Sequence, residues 1–493
     1  MSAPASAQRT AIRAGWIIAH DGRGHRLLRD GVVVFEGDTI LHVGPRFDGR
    51  VDVAIDGADR VVTPGLISTH AHIAGSPLDR SFIEDVGNPQ FYNSGLFEML
   101  PVRGAAQDEG GTRACVEFSL VEMLRGGCTT VAEMGGAGEI VAEMAGRYGM
   151  RVYLAQGYRS GRWLTRDGKQ VLWEWDEEGG RRGLQRAIDF IDRFDGAHGG
   201  LVRGFLSPMQ VDTCSAELLR ESYRLAEERR LPMQVHTSQS VNEFQEMLRR
   251  HGKTPIAWLS EIGALGPQTI LGHAIIVGGS SWANYPPGDL RIMAESGCSV
   301  AHAPWVFARR GIAMESFARY REAGITMSLG TDTNPQSMIE AMRWASVVSK
   351  IVDRRTLVAP GADVFDAATL GGARALGRDD LGRIAPGAKA DLVLWRATSW
   401  TMTPLRDPVK NIVFNATSED VAEVYVNGRQ VVRDGRVAGA DERRILAELQ
   451  AAGERMWPRM AEFDWSGRGA DELSPQTYAA WPPSPGSSAG PQY

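Results

Sequence analysis

Hydrophobic positions along this chain change their spacing twice. In the first sixty residues they fall in short alternating runs, Ala14-Gly15-Trp16-Ile17-Ile18, Gly31-Val32-Val33-Val34 and Ile40-Leu41-His42-Val43, separated by Gly- and Asp-rich turns. Alternation places every second side chain on one face, so these runs predict a small antiparallel sheet. The same texture returns near the other end, in Ala390-Asp391-Leu392-Val393-Leu394 and in Val421-Ala422-Glu423-Val424-Tyr425-Val426 before the turn Asn427-Gly428. Two β-rich flanks around a long middle predict that the chain ends pair into one discontinuous β-sandwich.

The middle alternates continuous apolar runs with amphipathic stretches. Buried strands are predicted at Val61-Val62 onward to His72, Cys128-Thr129-Thr130-Val131-Ala132, Val152-Tyr153-Leu154-Ala155, Gly204-Phe205-Leu206, Pro232-Met233-Gln234-Val235, Thr269-Ile270-Leu271-Gly272, Cys298-Ser299-Val300-Ala301 and Thr326-Met327-Ser328-Leu329. Helical patterns such as Ala216 to Glu228 and Met338 to Val352 lie between them. Strands alternating with helices imply a parallel sheet, and about eight of them imply a closed (β/α)8 TIM barrel in the α/β class. The expected layout is therefore a composite β-sandwich from 1–60 and 386–440, a catalytic TIM barrel from 61–385, and a C-terminal helix and extended tail from 441–493. The tail begins near Glu442 and turns Pro/Ser/Gly-rich at Trp481-Pro482-Pro483-Ser484-Pro485-Gly486; disorder and wrapping of a neighbouring subunit both fit it.

Composition narrows the class without naming it. A formal net charge of −6 offers no basic surface for nucleic acid or an anionic membrane. Cys115, Cys128, Cys214 and Cys298 are scattered without C-x-x-C spacing, as buried free thiols in a reducing compartment would be. No apolar run approaches eighteen residues and no signal-like run follows Met1, so the expectation is a cytoplasmic protein. A homo-oligomer, dimer or tetramer, acting on a small molecule completes that expectation.

The chemistry starts at Val61-Val62-Thr63-Pro64-Gly65-Leu66-Ile67-Ser68-Thr69-His70-Ala71-His72. On a strand, residues i and i+2 share a face, so His70 and His72 present two imidazoles side by side. Two ligands alone do not retain a divalent ion. Other strand ends supply candidates: His236 after Met233-Gln234-Val235, His273 after Ile270-Leu271-Gly272, His302 after Ser299-Val300-Ala301, and Asp332 after Leu329-Gly330-Thr331. In a TIM barrel these positions share the rim that carries the chemistry.

These segments, with Pro386-Gly387-Ala388-Lys389-Ala390-Asp391-Leu392, resemble the amidohydrolase superfamily, in the branch of cytosine and guanine deaminases and triazine hydrolases. The resemblance runs from about residue 10 to 440. It implies metal ligation by His70, His72, His236 and Asp332, with His273 hydrogen-bonding the attacking water or the substrate. Three imidazoles and a carboxylate suit one divalent metal, Zn2+ first, with Fe2+, Co2+ or Mn2+ also accommodated. Such a metal lowers the pKa of bound water from about 15.7 to roughly 7. Asp332 then serves as proton acceptor and relay. Two-metal relatives need a bridging lysine or glutamate at the fourth strand; Leu201 to Gln210 offers neither, so one metal is expected.

The chain departs from the family at two places. Deaminases of this branch carry a glutamate three residues after the fifth-strand histidine, whereas His236 is followed by Thr237-Ser238-Gln239. An amide orients a partner but carries no proton near pH 7. Glu243, one helical turn on, is a candidate replacement or a plain surface charge. Relatives also continue the His302 segment with Pro-x-Ser-Asn, whereas Pro304 here precedes Trp305-Val306-Phe307-Ala308-Arg309-Arg310. That change favours an apolar or aromatic substrate group near Trp305; Arg309 and Arg310 face either an anionic group or solvent. Two insertions, Pro77 to Pro101 with Phe82, Phe91, Tyr92 and Phe97, and Tyr158 to Gly180 with Trp163, Trp173 and Trp175, suit pocket walls or packing onto the barrel.

The resulting expectation is a mononuclear metal-dependent amidohydrolase of a non-peptide C–N bond, such as an amide, urea or carbamate-like linkage, with substrate contacts from Gln239, His302, Trp305 and Glu243. The alternative is an aminohydrolase or chlorohydrolase of a heteroaromatic ring such as a pyrimidine, purine or triazine. A non-enzymatic scaffold would have lost these ligands.

Overall fold

The computed structural model describes residues 8–82, 88, 93 and 95–481. The N-terminal runs form β1 (Arg9–His20), β2 (His25–Glu36), β3 (Thr39–Gly44) and β4 (Val53–Pro64). β1, β2 and β3 pair antiparallel as their alternation predicts. β4 instead runs parallel to β1, which makes the sheet mixed and carries the chain straight through Gly65 into the next strand. Gly65 has no substitute: a Cβ there would lie 2.0 Å from Thr129 Oγ1.

The middle of the chain supplies β5 (Leu66–Ala71), β6 (Cys128–Glu133), β7 (Arg151–Leu154), the hairpin β8 (Gly161–Leu164) and β9 (Leu172–Trp175), then β10 (Val202–Gly204), β11 (Met233–Thr237), β12 (Thr269–His273), β13 (Ser299–His302) and β14 (Thr326–Leu329). Apart from the hairpin these are the eight runs read from the sequence, and all are parallel. They form two four-stranded sheets, β10-β7-β6-β5 and β11-β12-β13-β14. Isolated parallel bridges join the sheets at both seams: Leu206 to Met233 and Gln210 to His236 on one side, Ala71 to Asp332 on the other. The strands are buried on both faces, so that even polar residues such as Thr69, Thr129, Gln234 and Ser328 are shielded from solvent.

The C-terminal runs form β15 (Leu392–Arg396), β16 (Val421–Val426), β17 (Arg429–Arg433) and β18 (Arg436–Val437). β15 pairs antiparallel with β4, so both chain ends merge into one eight-stranded hydrogen-bonded sheet, β18-β17-β16-β15-β4-β1-β2-β3. Trp395, fully buried, ties the junction by donating from Nε1 to Thr63 Oγ1 at 2.9 Å. The helix Glu442–Met456 then returns to the parallel strands' outer layer, with Arg444 on Glu117 at 2.6 Å and Arg455 on Asp108 at 2.8 Å. Its Ala452 and Met456 pack with Leu78, Phe82 and Cys115. The Pro482–Gly486 stretch, Phe91 and Tyr92 lie outside the described residues. All four cysteines are free and buried.

A buried ion pair fastens the sheet to the parallel strands. Arg151, at the start of β7, meets Asp391, just before β15, at 3.1 Å, and both side chains are 2–3% exposed. Asp391 also accepts from the Asn427 backbone N–H at 2.7 Å. Removing one member strands a charge in a low-dielectric site, so Arg151→Ala is expected to cost about 3–5 kcal/mol, read as a lowered urea midpoint. A cost below about 1 kcal/mol, the range of exposed pairs, would contradict this.

Candidate metal centre

The β5–β14 seam fixes the first half of the site. Beyond Ala71, the His72 N–H donates to Asp332 O at 2.7 Å, and the Asp332 N–H donates to His70 O at 2.9 Å. These two bonds set His70, His72 and Asp332 around one point by backbone pairing alone. His70 Nε2 and His72 Nε2 stand 3.9 and 3.8 Å from Asp332 Oδ1. Asp332 takes a left-handed backbone, φ 58°, as does His273 with φ 82°. Such conformations are costly for side-chain-bearing residues and gather at functional sites. The approach also needs Gly330, where a Cβ would lie 2.6 Å from His70 Cβ.

The second seam delivers His236. Its N–H donates to Met209 O at 3.1 Å, and its Nδ1 donates to the same carbonyl at 2.5 Å. That bond fixes the tautomer and leaves the Nε2 lone pair free. His236 Nε2 comes within 3.0 Å of His72 Nε2. His70 is oriented the same way: Nδ1 donates to Gln234 Oε1 at 2.5 Å, while Gln234 Nε2 donates to Thr69 O at 2.7 Å. Gln234 was missed in the sequence. Its signal was there, because it stands two residues before His236 on the same strand face, a polar side chain inside an apolar run.

His70 Nε2, aimed at this cluster, is buried and has no hydrogen-bond partner. Burial favours the neutral form of three of these imidazoles: it pushes His236 down to about 3, and lowers His72 and His273, which neighbouring groups lower further. Neutral rings with free lone pairs beside a carboxylate are the donor set of a divalent cation. Among the described residues, the ligand-competent groupings are His70-His72-Asp332 and His70-His236-His273, each within 4.8 Å, and both share His70. One cation fits the residues present.

His273 stands where a reacting group would be met. Its Nε2 is 3.7 Å from Asp332 Oδ2, its ring lies 4.6 Å from that of His70, and Phe307 covers its other side at 4.6 Å. A cavity of about 550 Å³ opens over this cluster, lined by His72, His236, His273, Asp332, Gln239 and Trp163 among others. Gln239 Nε2 is buried without a partner.

The remaining candidates sit apart from the cavity wall. Glu243, 1% exposed, bends back to accept from the Ser238 N–H at 2.5 Å and the Gln239 N–H at 3.1 Å, so it shapes the loop after His236. Burial and nearby Asp212 raise its pKa well above the usual carboxylate range. His302 is buried beside Phe317, and burial pushes it down to about 3. Trp305 packs on Trp344, ring centroids 5.0 Å apart. The hairpin β8–β9 divides its aromatics: Trp163 and Trp173 both donate to Asp212 Oδ2, at 2.7 and 2.9 Å, but Trp163 alone of the two lines the cavity. Arg250 lies over Trp173 and Trp175 at 4.9 and 4.8 Å, fastening the hairpin outside it.

The chain is similar to known proteins in sequence and in fold. A 5'-deoxyadenosine deaminase from Methanothermobacter thermautotrophicus is 30% identical over 431 residues, covering 86% of this chain and 94% of its own. A 5-methylthioadenosine/S-adenosylhomocysteine deaminase from Pelotomaculum thermopropionicum is 29% identical over 87% of this chain and 94% of its own. Among solved structures, an adenosine deaminase from Xanthomonas campestris with bound zinc superposes with a TM-score of 0.78 at 22% identity, covering 92% and 99% of the two chains. A mutant of atrazine chlorohydrolase TrzN from Arthrobacter aurescens, complexed with zinc and atraton, gives 0.77 at 25% identity over 90% and 100%. The shared fold is a TIM barrel plus a sheet domain. The Amidohydrolase family model matches residues 61–431, which is most of the chain. The protein is a hydrolase of carbon–nitrogen bonds other than peptide bonds, and it belongs to the amidohydrolase family.

Proposed function

We propose that the parallel strands close into a (β/α)8 barrel holding one divalent cation, Zn2+ first, on His70, His72, His236 and Asp332. The reaction is hydrolysis of an amide, urea or carbamate-like bond in a small, partly aromatic molecule. The observation that supports it is the cavity wall itself, where the histidine–aspartate cluster meets Gln239, Phe307 and Trp163 without a free glutamate. When bound, the cation supplies Lewis acidity, which brings the ionisation of water from about 15.7 to roughly 7.

The chain's residues divide the remaining work. Asp332 accepts the proton of the attacking water on its carboxylate and returns it to the leaving nitrogen. His273, buried 3.7 Å from that carboxylate, donates to the carbonyl oxygen as the carbon becomes tetrahedral. Gln239 offers its unpartnered amide N–H groups to the substrate and so orients the carbonyl. Phe307 and Trp163 exclude water and stack on an apolar group. One proton delivered to an amine leaving group is enough for an amide or urea.

The deaminase relatives favour a second reading, aminohydrolysis or dechlorination of a heteroaromatic ring. Protonating a ring nitrogen needs an acid where Gln239 stands. Glu243 is already held by the Ser238 and Gln239 backbone amides. A panel of aryl amides, aryl ureas and aminoheteroaromatics separates the readings by product. Release of an organic amine from the amides or ureas is expected, whereas ammonia from ring substrates alone would establish the second reading.

Two variants and one treatment test the centre. Asp332→Asn is expected to lower kcat/KM by about 10²–10⁴ with the far-UV spectrum unchanged, and full activity would sink the relay. Chelation should abolish turnover, and added Zn2+ should restore it. Gln234→Leu removes the group that orients His70, so metal affinity should fall about 10–100-fold in a competitive chelator titration. Unchanged affinity would show that packing alone aims the ring.

A further inference from the structure

Phe307 and Arg310 are one helical turn apart at the end of the segment that follows β13, and both line the cavity over the histidine–aspartate cluster. The Arg310 side chain donates from Nη1 to Val306 O at 2.8 Å, which holds its head in place. No described group accepts from its other guanidinium N–H donors, and it makes no ion pair. Three of the arginines around it are occupied. Arg309 donates to Asn334 O at 3.1 Å and Thr333 Oγ1 at 3.2 Å, bracing the loop after Asp332. Arg103 is paired with Asp79 at 2.9 Å and Arg162 with Glu174 at 2.5 Å. Arg159, also without an ion pair, stands exposed at the mouth.

The acids facing Arg310 are Asp79 and Asp332. Asp79 is committed to Arg103, and Asp332 to the proposed cation. A part-buried guanidinium therefore stands without an ion pair of its own, beside a centre that is itself positive when filled. Unpaired buried charge is costly, and structures retain it where a ligand completes it. The fork geometry of arginine matches a planar carboxylate with two parallel hydrogen bonds. Phe307, one turn earlier, lines the same cavity and supplies an apolar surface against His273.

We propose that Arg310 receives a carboxylate of the substrate, so that the C–N bond cleaved belongs to a compound whose aromatic or apolar part separates that bond from an acid group. The assignment rests on the hydrolase reading above and names its substrate class. Arg310 then acts in binding and selection, while the cluster across the cavity performs the reaction.

Benzoate and benzamide, probes of one shape that differ in charge, test this by calorimetric titration of the metal-loaded protein. Benzoate is expected to bind wild type at least about tenfold more tightly than benzamide, and Arg310→Gln should erase that preference while moving benzamide by less than about threefold. Equal affinity of wild type for the two probes, or binding of neither, overturns the proposal without any variant. A benzoate preference that survives in Arg310→Gln overturns it too, because the anion would then be held by the cation. Should Arg310→Gln fail to fold, Arg310→Lys keeps the charge and loses the fork: a preference reduced by about threefold or more supports the assignment, and an unchanged one contradicts it. The readout needs no turnover, so failure of every C–N substrate would leave this result intact.

Discussion

Two backbone hydrogen bonds across the seam between β5 and the segment after β14 control the rest of the molecule. His72 N–H to Asp332 O and Asp332 N–H to His70 O hold three candidate ligands in register before any side chain is placed. A slip of one residue along that seam would turn the imidazoles to the opposite face. The glycine at 330, the left-handed turn at Asp332 and the buried polar side chains Ser68, Thr69 and Gln234 all serve this close approach. The site is thus a product of strand order first and of side-chain chemistry second.

Around that seam the protein spends its buried polar groups on orientation. Gln234 aims His70, the Met209 carbonyl aims His236, and Glu243 fixes the loop that carries Gln239. His236 and Gln239 in turn line the cavity, while His70 is fully buried. Asp212 does the same at longer range, since the two indoles it accepts from hold the β8–β9 hairpin against the barrel mouth. Pre-aimed imidazoles and a walled cavity follow from the same economy of burial.

Much of this was legible in the sequence. Eight apolar runs, five of them with histidines or an aspartate at their ends, pointed to the parallel strands and the cluster, because buried strands tolerate few polar residues and those few stand out. The strand pairing of the two chain ends was legible too, though the parallel return of β4 was not, since alternation is blind to strand direction. Side-chain destination was the weaker part. Trp305 and Phe307 are two residues apart on a short helix, yet one packs on Trp344 and the other covers His273. Helical phase decides between them, and a five-residue helix begun at Pro304 gives no periodic pattern to read. Glu243 similarly follows from the cap: once Ser240 starts the helix, the third residue of that helix is drawn back to the buried loop amides of Ser238 and Gln239.

The seam also has a consequence for how the protein is made. Ser68 and Thr331, neighbours in the finished fold, are 263 residues apart along the chain. At about 5–20 residues per second on a ribosome, that separation amounts to roughly 13–53 s. Early in that interval the nascent chain carries His70 and His72 alone; His236 joins them later, and Asp332 only after its end. The donor cluster of the proposed cation site is thereby complete only once the last of the eight parallel strands has been made.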